Sequence, residues 1–459
     1  MLGRVRIASL LVRLATILVL VGCSNKKTPA PATDAAITND ALHEKLDAAA
    51  SASAACPPID PAKVAPFTCE GQPDWLPAIP PIVDQDKSLT RFWDGLARAA
   101  RGLATEHVRI GFYGDSNHTA DAMTGYMRRK LQARYGEGGH GFVALAHPWD
   151  WYSHNDVHHD GTWKPFKWVA TSTGRVADGH YGFANIGSDC GAAGAAAWVS
   201  TEPQPNAPIG WTASRFDVYY AKRPGGGRFD LLLDNEKKTT IDTAAEQWEP
   251  AFERIDTTDA KHEVRVVIQG HGPVRLYGVV LERAKPGIQV DGLGTGSLNF
   301  EQMTLPKAET RKPQLQRRNY DLVMIALGTN CFNVPANNEK HVKEFIEAIR
   351  DAIPGVPFLF LTPPDSIEEG VSYADPHIVA LSKSIPRMAA ANKAASWDYF
   401  AAMGGPKSIN TFAQKNLANP DRIHLKKPAH ELMNDRFLCA LSKSFGAYLE
   451  EHPDAGCAK

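Results

Sequence analysis

Val108-Arg-Ile-Gly-Phe-Tyr-Gly-Asp-Ser116 is the stretch on which the reading of the whole chain turns. Its apolar run is short and ends in a turn-forming tripeptide, as a buried strand does. From Thr119 to Tyr135 the period changes. Met123, Met127, Leu131 and Tyr135 recur every four residues and Gly136 stops the pattern, so this segment reads as a helix. Strand, sharp turn and helix place the Ser116 hydroxyl at the carboxyl edge of a sheet, beside a helix N-terminus that favours negative charge. Ser116 is therefore a candidate nucleophile. Gly114-Asp115-Ser116 is also ordinary turn and N-cap chemistry, so the tripeptide needs support from elsewhere.

Upstream, Ser88 to Ala100 reads as a helix with Leu89, Phe92 and Leu96 on one face and Gly102 as its stop. Downstream, the texture switches after the Gly138–Gly141 loop. From about Trp168 to Leu281, beyond an aromatic stretch, the chain reads as strands and turns. Phe216–Tyr220 and Phe229–Leu233 flank Pro224-Gly-Gly-Gly227, and Val264–Ile268 and Val274–Leu281 flank Gly270 to Pro273. Each pair is expected to form a hairpin within an antiparallel β-sandwich. The α/β texture then returns. Asp321 to Leu327 is a continuous apolar run, as in a central parallel strand. A helix with Val342, Phe345, Ile346, Ile349 and Ile353, a strand at Phe358–Leu361, a helix near His377–Asn392, a strand near Trp397–Tyr399 and a final helix at Ala429–Leu449 follow. The pattern is one α/β domain interrupted after its first βα unit by a β domain.

The chain has 459 residues and a formal net charge of −1, so no overall field recruits nucleic acid. Arg4, Arg6 and Arg13 precede or interrupt an apolar run ending at Val21, the layout of a secretory signal. Leu20-Val21-Gly22-Cys23 resembles a bacterial lipoprotein cleavage box, which implies lipidation of Cys23. Ser24 is not the inner-membrane aspartate, so the expected location is the outer membrane, with the lipid as the membrane partner. Six further cysteines remain: Cys56, Cys69, Cys190, Cys331, Cys439 and Cys457. An even count in an exported chain suggests disulfides. Sequence proximity favours Cys56–Cys69 and Cys439–Cys457, leaving Cys190–Cys331.

Acyl transfer needs a nucleophile, a base and donors for the oxyanion, gathered at strand ends. Gly328-Thr329-Asn330 follows the strongest strand, and its asparagine amide can serve as a donor. Asp291-Gly-Leu-Gly-Thr-Gly296-Ser297 lets backbone approach an acyl group, although glycine-rich segments are most often plain turns. Asp-x-x-His would orient an imidazole, but it occurs four times, at Asp115/His118, Asp156/His159, Asp259/His262 and Asp421/His424. Position selects Asp421/His424, which lies between the last strand and the C-terminal helix.

Gly114-Asp-Ser116, the glycines at 294–296, Gly328-Thr-Asn330 and Asp421-x-x-His424 occur in the order of the four blocks of SGNH/GDSL hydrolases. The layout further resembles, more loosely, bacterial SGNH enzymes that handle O-acetyl groups of cell-wall polysaccharides through an inserted β module. The resemblance implies a flavodoxin-like three-layer α/β fold with a parallel sheet, interrupted by an inserted antiparallel, jelly-roll-like β-sandwich. It implies Ser116 as nucleophile, His424 as base and Asp421 as its orienting group. The oxyanion donors would be the Ser116 and Gly296 N–H groups and the Asn330 amide, with Gly294 competing with Gly296. Cys331 stands where the family often has an acidic residue, which puts the bracing of Asn330 in question unless a disulfide supplies it.

The expected organisation is a signal peptide over 1–22, a lipidated N-terminus and flexible linker over 23–70, catalytic segments over 71–140 and 286–459, and the β insertion over 141–285. No cofactor and no metal are expected. His154, His158 and His159 lack a partner at diagnostic metal-ligand spacing. The aromatic run from Trp149 to Trp168 has two readings, a β core or a surface that stacks on sugar rings. The expected activity is a serine esterase acting on an acetylated glycan. Alternatives are an O-acetyltransferase using the same acyl-enzyme, or a glycan-binding lipoprotein without catalysis.

Overall fold

The computed structural model describes residues 56–457, apart from 164–165, 169–175, 177, 203–209, 368–369, 371 and 373. The signal segment, Cys23 and the tether as far as residue 55 lie outside the described residues, as does the Trp168 side chain.

Five parallel strands form the central sheet, in the order Ile288–Gly294, Val108–Gly114, Leu322–Ala326, Phe358–Leu361 and Ala395–Trp397. Successive residues of a strand point to opposite faces. Accordingly Leu322, Met324 and Ala326 enter one core with Phe92, Met127 and Phe437 from helices Thr90–Ala100, Ala122–Tyr135 and Lys427–Glu451. Val323, Ile325 and Leu327 enter another with Leu315, Phe345 and Ile385 from helices Ala308–Arg318, Pro335–Ala352 and Pro376–Ala391. Burial on both faces explains the unbroken apolar runs. The result is the expected three-layer α/β fold. The edge strand Ile288–Gly294, by contrast, occupies sequence that reads as a glycine-rich turn, and it pairs with Val108–Gly114 along its whole length.

Between the first helix of this fold and that edge strand, the chain builds two antiparallel sheets. One contains Ala213–Lys222, Glu249–Ala260 and Val274–Glu282, with Ile186–Cys190, Phe166–Trp168 and Gly141–Val143. The other contains Val157–Gly161, Ala196–Thr201, Arg228–Leu233, Glu236–Asp242 and Glu263–Gly270. Their inner faces share one core, with Tyr220 of the first sheet 5.4 Å from Phe229 of the second. Neither expected hairpin forms. Ala213–Lys222 pairs with Glu249–Ala260 and Val274–Glu282, while Arg228–Leu233 pairs in the other sheet with Glu263–Gly270. Both glycine turns are therefore corners that carry the chain from one sheet to the other. They pack together, the Gly227 N–H donating to Pro273 O at 3.1 Å. The two ends of the module meet where the Arg283 N–H donates to Gly138 O at 3.0 Å.

Both proximity-based cysteine pairings are incorrect. Cys56 bonds Cys457 and Cys69 bonds Cys439, while Cys190 and Cys331 are free and buried. The physical reason is the path of the C-terminal helix, which runs back along the N-terminal segment. The Phe67 N–H donates to Ser442 Oγ and the Thr68 hydroxyl to Asp435 O. Residues 56–70, expected as flexible linker, are thus laced to the end of the chain. The staple from the β module to Asn330 through Cys190–Cys331 does not exist.

Candidate active site

Gly114 ends its strand where a side chain would strike the His118 ring, at 2.5 Å from a Cβ built there. The Asp115 carboxylate then caps a single turn, Ser116–His118, by accepting from the Asn117 N–H. This turn projects Ser116 from the carboxyl edge of the sheet. Ser116 Oγ lies 2.8 Å from His424 Nε2. On the other side of the ring, His424 Nδ1 lies 2.8 Å from Asp421 Oδ2. The opposite carboxylate oxygen, Oδ1, accepts from the backbone N–H groups of Ile423 and His424, so a three-residue turn holds the ring. Partial burial pushes the Asp421 carboxyl up, but these hydrogen bonds outweigh it and hold the group below its usual range. Asp421 is therefore anionic at neutral pH, as a group that fixes an imidazole tautomer must be.

The other Asp-x-x-His pairs go elsewhere. His118 is buried with its Nδ1 3.7 Å from Asp115. His159 is buried in the β module, and His262 bonds Asp234 rather than Asp259. Asn117 has no signal in the sequence, yet it ties the two halves of the site together. Its Nδ2 donates to Ile423 O at 3.4 Å and its Oδ1 accepts from the Leu425 N–H at 3.0 Å. The residues on both sides of His424 are thereby attached to the turn that carries Ser116.

Asn330 follows the Leu322–Ala326 strand, and its Nδ2 is buried with no hydrogen-bond partner among the described residues. Burying an unmet donor costs about 1–3 kcal/mol, so this amide is poised for an acceptor. Cys331 braces the turn through its backbone, its N–H donating to Gly328 O and its carbonyl accepting from Asn338 Nδ2. Burial pushes the Cys331 thiol well above its usual range, which leaves it inert. Gly294 and Gly296 are now distinguishable. A Cβ on Gly294 would meet His118 O at 2.2 Å, so this glycine permits close packing of strand against turn. Gly296 lies past the strand end, after Thr295, whose N–H donates to Gly114 O.

The chain shares its fold with a solved peptidoglycan O-acetylesterase. That structure aligns over 80% of this chain and 99% of its own, at 20% identity and a TM-score of 0.65. A family two carbohydrate esterase from Cellvibrio japonicus aligns over 64% and 99%, at 13% identity and a TM-score of 0.24. No protein-family model matches the sequence. No curated protein matches it either.

His154, His158 and His159 do not converge on one point. His158 is exposed and faces Glu202, while His154 turns inward. There it joins Asp121 and His140, whose ligand atoms with its own lie within 4.8 Å of one another. These groups are already bonded. Asp121 takes both arms of the buried Arg128 guanidinium, and His140 Nε2 lies 3.0 Å from His154 Nδ1. A cation there would have to sit beside Arg128 and compete with it for the carboxylate. The trio serves instead to hold a loop, since Asp121 also accepts from the Asn155 N–H at 3.0 Å. The aromatic run divides: Trp149 and Trp163 are core, whereas Trp151 is exposed and lines the same pocket as Ser116 and His424.

Proposed function

We propose that this protein is a serine esterase that removes acetyl groups from a cell-envelope polysaccharide, anchored by a lipid on Cys23. The observation that carries the reading is the chain of contacts from Ser116 through His424 to Asp421, each 2.8 Å long. His424 takes the Ser116 proton as Oγ attacks the ester carbonyl. Asp421 holds the tautomer and stabilises the imidazolium that results. The oxyanion is met by Asn330 Nδ2, which has no partner among the described residues, with the Ser116 and Gly296 N–H groups as further donors. The imidazolium then protonates the departing sugar hydroxyl. Water, activated by the same ring, releases acetate from the acyl-serine.

The likeness in fold to a peptidoglycan O-acetylesterase supports an acetylated glycan as substrate. Acetate release from O-acetylated peptidoglycan oligosaccharides tests the reading. Ser116→Ala is expected to lower turnover by at least about 10⁴. A folded Ser116→Ala protein with most of its activity would remove Ser116 from the mechanism. Transfer of acetate to an added sugar in place of its release would make the enzyme an O-acetyltransferase.

A further inference from the structure

Trp151 is 58% exposed, whereas Trp149 and Trp163 of the same run are 5% and 2% exposed. Among the described residues it is the one aromatic ring other than the imidazoles on the wall of the pocket that holds Ser116 and His424. Its place is fixed from two sides. The indole Nε1–H donates to Thr119 Oγ1 at 3.0 Å, and that hydroxyl donates to Ser116 O at 2.9 Å. A Cβ built on Gly296 would lie 4.0 Å from the indole Cζ2. An open indole is thus tied to the candidate nucleophile's own carbonyl and stands beside a candidate oxyanion donor.

The remaining wall narrows what the indole meets. Apart from two alanines and Leu425 it is polar, with Ser153, Asn155, Asn419 and Lys427 lining the same pocket. A long acyl chain would cover Trp151 but would leave these groups facing hydrocarbon, which is costly. A pyranose presents a flat C–H face with hydroxyls at its rim, so one aromatic surface bordered by amides, a hydroxyl and an ammonium is its complement. The pocket, about 520 Å³, has room for a ring as well as its acetyl group. We propose that Trp151 is the platform on which the sugar ring bearing the ester stacks, so that its acetyl group reaches Ser116. This rests on the esterase reading above.

The test compares Trp151→Phe, Trp151→Leu and Trp151→Ala in the full chain. Two substrates are used: O-acetylated peptidoglycan oligosaccharides and triacetin, an acetyl ester without a ring. The readout is the ratio of kcat/KM on glycan to that on triacetin. Trp151→Ala is expected to lower this ratio about tenfold, mainly through KM on the glycan, as loss of an aromatic anchor typically does. Trp151→Phe should restore most of it, and Trp151→Leu, apolar but without a ring face, should not. An unchanged ratio would reduce Trp151 to a prop for the site. A leucine variant as good as phenylalanine would replace ring stacking by general apolar contact. Those outcomes leave the esterase standing, whereas a wild-type protein that hydrolyses neither substrate overturns both readings.

Discussion

At the residue scale, the groups of the site differ in how far their hydrogen bonding is satisfied. Asp421 accepts three hydrogen bonds and both ends of the Asn117 amide are occupied, but Asn330 Nδ2 has no partner among the described residues. A buried donor kept unpaired is most useful if its acceptor exists only during reaction. Asn330→Ala is therefore expected to lower kcat by about 10²–10³ with little change in KM, the usual cost of one oxyanion donor. A change confined to KM would make Asn330 a ground-state substrate contact instead. Ser116 and Asn330 sit in short motifs just past strand ends, and Asp421 and His424 in a turn before the last helix, so the sequence alone marks all four as candidates. Asn117 was not legible, because its work is done on backbone some 300 residues away, and an asparagine after a serine carries no mark of that.

At the scale of elements, the parallel strands were legible for a physical reason: burial on both faces writes a run of apolar residues. The edge strand Ile288–Gly294 was missed because its polar residues Gln289 and Asp291 are buried in a charged network rather than among apolar side chains. Arg318 donates to Asp291 and Glu282, and the Tyr320 hydroxyl donates to Asp291 at 2.6 Å. Glu282 ends a strand of the β module, so this network joins the two parts of the fold. Burial would push the Glu282 carboxyl up, but Arg318 and Arg109 bring it down to about 2. Arg318→Met roughly keeps the volume and removes the charge, leaving the buried Asp291 without its ion-pair partner and Glu282 dependent on Arg109 at 3.4 Å. Urea unfolding should show a loss of about 3–5 kcal/mol, the range for breaking a buried pair from one side. A loss under about 1 kcal/mol would mean that water reaches the carboxylates readily. The corners at Pro224–Gly227 and Gly270–Pro273 misled for the opposite reason, since a glycine turn between two β segments looks the same whether the strands pair or part.

At the scale of the molecule, the two disulfides close the chain on itself, with sequence separations of 401 and 370. Nothing local announces such pairings, because they follow from where the last helix ends up. The same scale governs the response to acid. Burial in the finished fold lowers His107 and His154 to about 4, His430 to about 3 and His159 to about 2, and lowers His140 well below its usual range. These rings are neutral in the folded protein, while in the unfolded chain each takes a proton near pH 6.5. Below that pH the unfolded state binds more protons than the native state, so stability falls with pH. The stabilisation is present above about pH 6.5 and is lost progressively as pH drops toward the folded values. One such histidine changes stability by up to about 1.4 kcal/mol per pH unit within that window. The carboxylates held low, Asp421 and Glu282, contribute their loss only below the ordinary carboxylate range. Asp365, raised by burial to about 6, takes up its proton in the folded state over part of this window and offsets about one histidine. Thermal melts should still show Tm falling between about pH 6.5 and 5, because the buried neutral histidines outnumber it. His154→Asn keeps a nitrogen or oxygen near His140 but cannot titrate, so the slope of unfolding free energy against pH should become shallower by about one proton. A slope unchanged in that variant would show that His154 accepts its proton in the folded state, against the burial and the Arg128 charge that oppose it.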